Sequence, residues 1–285
     1  MTALAAWKKA GSTFDSPAGP LFTRREGAGP ALLFIHGFPT ASWDWHKLWP
    51  HFAPHFSCLA LDLLGFGFSA KPRRMAYSVA LQADLIEAWL AGQGIGEFAC
   101  IAHDFGDTVA QELLARQCDD PRRATRMTRL VLLNGGLFPE THQQVLLQKL
   151  LASRLGPLVA RLTTRDRFIA NMRRICAQPL TGEDVDGMWQ LLISNEGIAV
   201  LPKLIGYMEE RRRHRERWVG ALQKSPIPMR LINGLDDPVS GAHMVARYRE
   251  LLPAPDVVEL PGIGHYPQIE APDAVVAGAL GYLRQ

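Results

Sequence analysis

Two spacings of apolar residues alternate along this chain. Short runs that are apolar on successive residues rather than on alternate ones fall within 31–36, 57–62, 98–103, 129–134, 229–233 and 257–260. Unbroken runs of this length predict strands covered on both faces, as in a parallel sheet, rather than strands with one wet face. Residues 12–15 and 21–25 predict an antiparallel hairpin ahead of them. Between the runs, apolar residues recur three and four apart. Ser78 is placed to cap a helix bearing Leu81, Leu85, Ile86 and Trp89 on one face. Val109, Leu113 and Leu114 line a second helix that begins just after Asp104, and 241–252 and 273–283 supply two more. Strand–helix alternation implies right-handed crossovers and a doubly wound, mostly parallel sheet of eight strands.

The alternation stops between residues 137 and 224. That stretch keeps helical periodicity and contains no strand-like run. Pro139 marks its start, and Pro226 and Pro228 its end. It reads as an all-helical cap inserted between the sixth and seventh strands. The chain then divides into a first core part (1–136), a cap (137–224) and a second core part (225–285).

Composition narrows the function classes. A chain of 285 residues with 47% apolar content forms a sizeable core, and a net charge of +3 gives no basic field for nucleic acid. The dense run Arg211, Arg212, Arg213, His214, Arg215, Glu216, Arg217 reads as a solvated helix face, with a site for an anionic lipid or partner as the alternative. Cys58 and Cys100 sit in apolar runs and read as small buried hydrophobes. No cysteine spacing suggests a disulfide or zinc site. The first eleven residues lack the apolar core of a signal peptide, and no stretch of about 18 apolar residues could span a bilayer. The expectation is a cytoplasmic protein, with a homodimer left open.

The chemistry centres on Ile101-Ala102-His103-Asp104-Phe105-Gly106, between a strand and a helix. This is the small-x-nucleophile-x-small pattern of a nucleophile elbow, a turn that forces strained backbone on the nucleophile and demands small neighbours at Ala102 and Gly106. Its side chain stands at the carboxyl end of the sheet, where open α/β sheets place their sites. A carboxylate is ionised at neutral pH and needs no base to attack. Attack on a saturated carbon yields an ester that water can cleave, whereas a serine would yield a dead ether. Asp104 therefore points to displacement at an sp3 carbon. Downstream, Asp237 ends a strand just before Pro238, with Asp236 as the alternative acid, and His265 follows the last strand in Gly262-Ile263-Gly264-His265. His265 would deprotonate the hydrolytic water and Asp237 would orient its ring. His36-Gly37-Phe38-Pro39 follows the first central strand. The Phe38 and Phe105 backbone N–H groups are the expected oxyanion donors, with His36 a structural residue of that loop.

His36-Gly37-Phe38-Pro39, Asp62-Leu63-Leu64-Gly65-Phe66-Gly67-Phe68-Ser69, His103-Asp104-Phe105-Gly106-Asp107 and the terminal Gly264-His265 together resemble the epoxide hydrolase and haloalkane dehalogenase branch of the α/β-hydrolase fold. Residues 134–142, Arg217-Trp218-Val219-Gly220-Ala221-Leu222 and Asp107 more closely resemble the mesoderm-specific transcript family, whose substrate is unsettled. In the wider branch, dehalogenases hold halide with a Trp after the nucleophile and often an Asn or Trp where this chain has Phe38. Phe105 and Phe38 depart from both. Fluoroacetate dehalogenases place arginines beside the nucleophile, where this chain has Phe105 and Thr108. Epoxide hydrolases protonate the departing oxygen with cap tyrosines. Tyr207 takes the place of one, and His142 would stand in for the missing second if it points inward, although a surface loop is its more usual setting. Asn134 occupies a place where some relatives put their acid, and its amide leaves that role to Asp237.

The resemblance implies a cofactor-independent, metal-free hydrolase that opens epoxides of a small, largely apolar substrate with water. Haloalkane dehalogenation, ester, lactone or acyl-transfer chemistry, and a non-catalytic binding scaffold are the alternatives.

Overall fold

The computed structural model describes residues 2–143 and 146–285, apart from the side chain of Leu147. One eight-stranded sheet runs through it: β1 (Ser12–Ser16), β2 (Gly19–Glu26), β3 (Ala31–Ile35), β4 (Ser57–Leu61), β5 (Glu97–His103), β6 (Arg126–Leu133), β7 (Met229–Gly234) and β8 (Val257–Leu260). Their spatial order is β1-β2-β4-β3-β5-β6-β7-β8. The β1–β2 and β2–β4 pairs are antiparallel and every other pair is parallel. All five β4 residues are buried, as is β3 after Ala31. Burial on both faces explains why these strands show no alternation in the sequence. The edge strand β1 is mostly exposed or half-buried, and its alternation is correspondingly weak.

Helices Val79–Gly92 and Phe105–Asp119 cover one face. Ser78 caps the first by accepting the Leu81 N–H. Between β6 and β7 the described residues form helices joined by loops and no strand, the helices including Leu146–Leu151, Gly156–Arg161, Arg165–Ile175, Gly182–Ile193, Tyr207–Arg213 and Arg215–Gln223. The last of these is fastened to the helix after β5. Glu112 accepts the Trp218 indole N–H at 2.7 Å and Arg217 Nε at 3.0 Å, while Arg116 Nε reaches its other oxygen at 2.8 Å. A short helix, Ala3–Lys9, precedes the sheet and buries Leu4 and Trp7. Its few residues are too short a stretch to register as periodicity. Cys58 and Cys100 lie fully buried and unpaired within β4 and β5. No helix is long and apolar enough to cross a membrane among the described residues.

Candidate active site

Five loops meet at the carboxyl end of the parallel strands, and each brings one of the residues singled out by sequence. Asp104 follows β5 and opens the helix Phe105–Asp119 with φ 48° and ψ −106°, a left-handed backbone that a non-glycine residue adopts only under constraint. The constraint is close packing. A Cβ on Gly106 would stand 2.2 Å from the Ile35 carbonyl oxygen, so the turn presses directly on the end of β3. A Cβ on Gly37 would stand 2.9 Å from Asp104 Cβ, which lets the neighbouring loop close over the carboxyl. In that loop the Phe38 N–H donates to Asp104 Oδ2 at 3.0 Å. The Phe105 N–H heads the helix, in the first turn where no intrahelical acceptor exists.

His36 holds the same loop. Its Nε2 accepts the Leu63 N–H at 3.0 Å, and its Nδ1 lies 2.8 Å from the Gly37 carbonyl, to which it donates. Burial pushes its pKa down to about 4, so it is neutral. The structural role read from sequence matches these contacts.

Asp237, after β7, meets His265, after β8. His265 Nδ1 lies 2.8 Å from Asp237 Oδ2. The carboxylate is heavily supported: the Val239 N–H donates to Oδ1 at 2.8 Å, Asn134 Nδ2 reaches Oδ2 at 3.0 Å, and Ser240 Oγ lies 2.8 Å from the same oxygen. Burial alone would raise the Asp237 pKa, but His265 and these donors hold it at about 2. His265 loses ground to burial too, yet Asp237 and, further off, Asp104 lift it to about 9. Asp236 points outward and takes the Gly262 N–H at 3.3 Å, so the two candidate acids separate cleanly.

A family model for the alpha/beta hydrolase fold matches residues 30–272. The chain belongs to the alpha/beta hydrolase fold family. It is 40% identical over 280 residues to "Putative hydrolase LipZ" of Mycobacterium tuberculosis, covering 97% of this chain and 96% of the relative. It is 38% identical over 295 residues to "Mesoderm-specific transcript homolog protein" of Bos taurus, covering 99% and 88%. A haloalkane dehalogenase loop variant, DbeA-M1 from Bradyrhizobium elkanii, superposes with a TM-score of 0.80 at 22% identity over 96% of each chain, a likeness of fold.

Within this hydrolase fold the helical stretch between β6 and β7 supplies the other side of the site. Tyr207 is buried, its ring 4.6 Å from Phe105 and 6.1 Å from Phe38, and its hydroxyl has no partner among the described residues. Burial first, then the Asp104 charge, pushes its pKa well up, so it keeps its proton. Phe105 also stacks on Phe66 at 5.8 Å. His142 does point inward, and both its ring nitrogens are buried without a partner among the described residues. Burial, with Arg211 beside it, drives the pKa of His142 down to about 3, leaving it neutral. The surface setting expected for His142 is thus corrected.

Arg211 overturns part of the solvated-face reading of the arginine run. It is 2% exposed. Its Nη2 donates to the Asp104 carbonyl at 3.0 Å and lies 3.7 Å from Asp104 Oδ1, while Nε donates to Thr108 Oγ1 at 2.7 Å. The guanidinium covers the Tyr207 ring at 4.6 Å. Arg212 and Arg213 are exposed, Arg215 pairs with Glu140, and Arg217 pairs with Glu112 and Asp119. Burial raises the Asp104 carboxyl, but His265, Arg211 and the Phe38 N–H together bring it below its ordinary value. Asp107, one turn on, also feels Arg211, but too weakly to offset its burial. Burial and the Asp104 charge hold it well above the carboxylate range, in the protonated form.

Three residues have positioning contacts that the sequence did not reveal, although Asn134 had been singled out at the acid position. His103 Nε2 donates to the His265 carbonyl at 2.7 Å, tying the elbow to the histidine loop. Asn134, at φ 40°, also accepts the Gly234 N–H at 2.7 Å. Ser240, besides reaching Asp237, lies 2.8 Å from the Asn134 carbonyl. Beyond Phe38 and His265 a cavity of about 280 Å³ opens toward the helices, lined largely by apolar side chains such as Leu151, Phe168, Ile175 and Leu201.

Proposed function

We propose that the protein hydrolyses epoxides of apolar substrates through an alkyl ester on Asp104, with no cofactor. The reading is carried by one observation: a carboxylate, not a hydroxyl, occupies the elbow, with an N–H on Oδ2 and Oδ1 left to attack. Asp104 Oδ1 would form a bond to an epoxide carbon as that carbon's C–O bond breaks, its electron pair going to the departing oxygen. Tyr207 would protonate the alkoxide, aided by His142 or the Arg211 guanidinium on the same side. Alkylation removes the Asp104 charge, one of the influences lifting His265, so the imidazolium can give up its proton at that stage, and that proton restores the Tyr207 hydroxyl. His265 would then take a proton from water as the water oxygen bonds to Asp104 Cγ. The Phe38 and Phe105 N–H groups would hold the oxyanion until it collapses by breaking the Cγ–Oδ1 bond. The departing alkoxide takes the proton of the new Cγ hydroxyl, which releases the diol, leaves Asp104 as the carboxylate and leaves His265 protonated as at the start.

His265→Gln tests the two halves. Alkylation needs no base and hydrolysis does, so a mass equal to enzyme plus epoxide should accumulate on the peptide containing Asp104. No adduct with any epoxide that the wild type turns over rejects the ester route. Robust chloride or bromide release by the wild type, with no epoxide turnover across a broad panel, transfers the same machinery to haloalkanes.

A further inference from the structure

Leu146, Leu150, Leu155, Leu158 and Leu162 are 63, 38, 60, 55 and 52% exposed. Five leucines uncovered within seventeen positions are unlike the scattered apolar residues of an ordinary protein surface. Their spacing is helical: 146 and 150 are one turn apart, and 155, 158 and 162 follow at three and four. They lie on and just beyond the helices Leu146–Leu151 and Gly156–Arg161. Leu150 and Leu162 also line the apolar cavity that ends at Phe38 and His265, so the exposed face and the cavity are continuous.

The charge around this face has one sign. From His142 to Arg165 the sequence contains no Asp or Glu, but it contains Lys149, Arg154 and Arg161. All three are exposed and make no ion pair among the described residues. An apolar face fringed by unpaired cations matches a bilayer interface bearing anionic headgroups: the leucines enter the acyl boundary and the cations stay among the phosphates. A second copy of the chain would bring the same cations face to face.

We propose that this leucine face docks on an anionic phospholipid surface, with the cavity opening into the lipid phase. Substrate would then reach His265 and Asp104 without crossing water, as suits an apolar molecule. The inference stands on the surface alone and holds whichever bond the site breaks.

Flotation with lipid vesicles tests it without any turnover. Wild-type protein should float with phosphatidylcholine vesicles containing a third phosphatidylglycerol. It should bind pure phosphatidylcholine at least tenfold more weakly, and lose the difference in 0.5 M salt. Leu155→Ser with Leu158→Ser, both outside the cavity lining, should lower the partition coefficient on the order of tenfold or more. Arg154→Gln with Arg161→Gln should lower it by a similar factor on anionic vesicles only, since each cation near such a surface contributes on the order of fivefold. Unchanged melting temperatures would show that both variants fold. The proposal is overturned if wild type does not float, or if the leucine variant floats as well as wild type. It is equally overturned if the leucine variant merely converts a dimer to a monomer on a sizing column while vesicles go unbound.

Discussion

The Asp237 corner of the site and its helical side treat their polar atoms in opposite ways. On the sheet side Asp237 has a donor for each oxygen and several for Oδ2, and even Asn134, which supports it, has its own amide satisfied. On the helical side the Tyr207 hydroxyl, both His142 nitrogens and Arg211 Nη1 are buried with no partner among the described residues. Leaving a buried polar group unpaired costs about 1–3 kcal/mol. The Asp237 corner is therefore built for one geometry, unlike the elbow beside it, where His103 Nδ1 and the Asp107 oxygens also lack a partner among the described residues. The helical side keeps hydrogen-bonding capacity in reserve, on the face where a leaving oxygen would develop charge.

The sharpest way to break this contrast is at Asp104 itself, which faces both sides. Asp104→Asn should abolish turnover while leaving the melt nearly unchanged, because an amide keeps the shape and cannot attack carbon. Single-turnover rates equal to wild type, with deamidation excluded by mass, would remove it from the role.

Tyr207→Phe comes next. It should slow epoxide opening by roughly 10²–10⁴-fold, the range for general acid–base assistance. It should also leave stability unchanged or higher, since the lost hydroxyl had no partner to lose. Ser240→Ala, on the other side, should behave in reverse: a destabilisation of about 1 kcal/mol in denaturant melts, with a modest rate loss. If Tyr207→Phe proves the more destabilising of the two, the contrast between the sides fails.

Arg211→Gln bears on the charge between them. With the guanidinium gone, one of the influences holding Asp104 down disappears and its pKa should rise. The acid limb of the activity profile should then move to higher pH. An unmoved limb would mean that Arg211 only braces the backbone through the Asp104 carbonyl and Thr108.

The smallest effect concerns stability against pH. The His265 pKa is raised from 6.5 to about 9, so the stability from its protonated form is complete below about 6.5 and drains away as pH climbs through 9. Asp237 is depressed to about 2, so its contribution is complete above the usual carboxylate range and is lost only as pH falls toward 2. The melting temperature should fall by a few degrees from pH 6.5 to 9, and His265→Gln should flatten that slope.

What the sequence revealed follows the same division. Strands buried on both faces announce themselves as unbroken apolar runs. The elbow is legible because its strained turn tolerates so few residues at Ala102 and Gly106. Asp237 and His265 could be placed because each ends or follows a strand. The helical side was harder. From Arg211 to Arg213 each successive residue turns by about 100°, and a second helix begins at Arg215, so one run of cations faces several directions. The signal that did exist was Tyr207 and Arg211 four apart, hence on one face. Hydrophobicity hides it, because a buried guanidinium counts as a polar position. His142 carried no periodic signal, because loop packing against Gly136 turns it inward.

The clamp at Glu112 has a consequence for how descendants of this chain could diverge. Trp218 and Arg217 fasten the end of the helical stretch to the very helix that Asp104 begins. Tyr207 and Arg211 lie a few residues before that fastening, so a change at Glu112 would have to be answered at 217 or 218 to keep them in place. Residues 146–193 carry no tie of that kind to the elbow helix among the hydrogen bonds and ion pairs described. Within it, residues 146–162 are the part open to substitutions that reshape the cavity and its outer face, whereas Ile175 accepts the His265 N–H through its carbonyl at 2.9 Å and so stays tied to the proposed base.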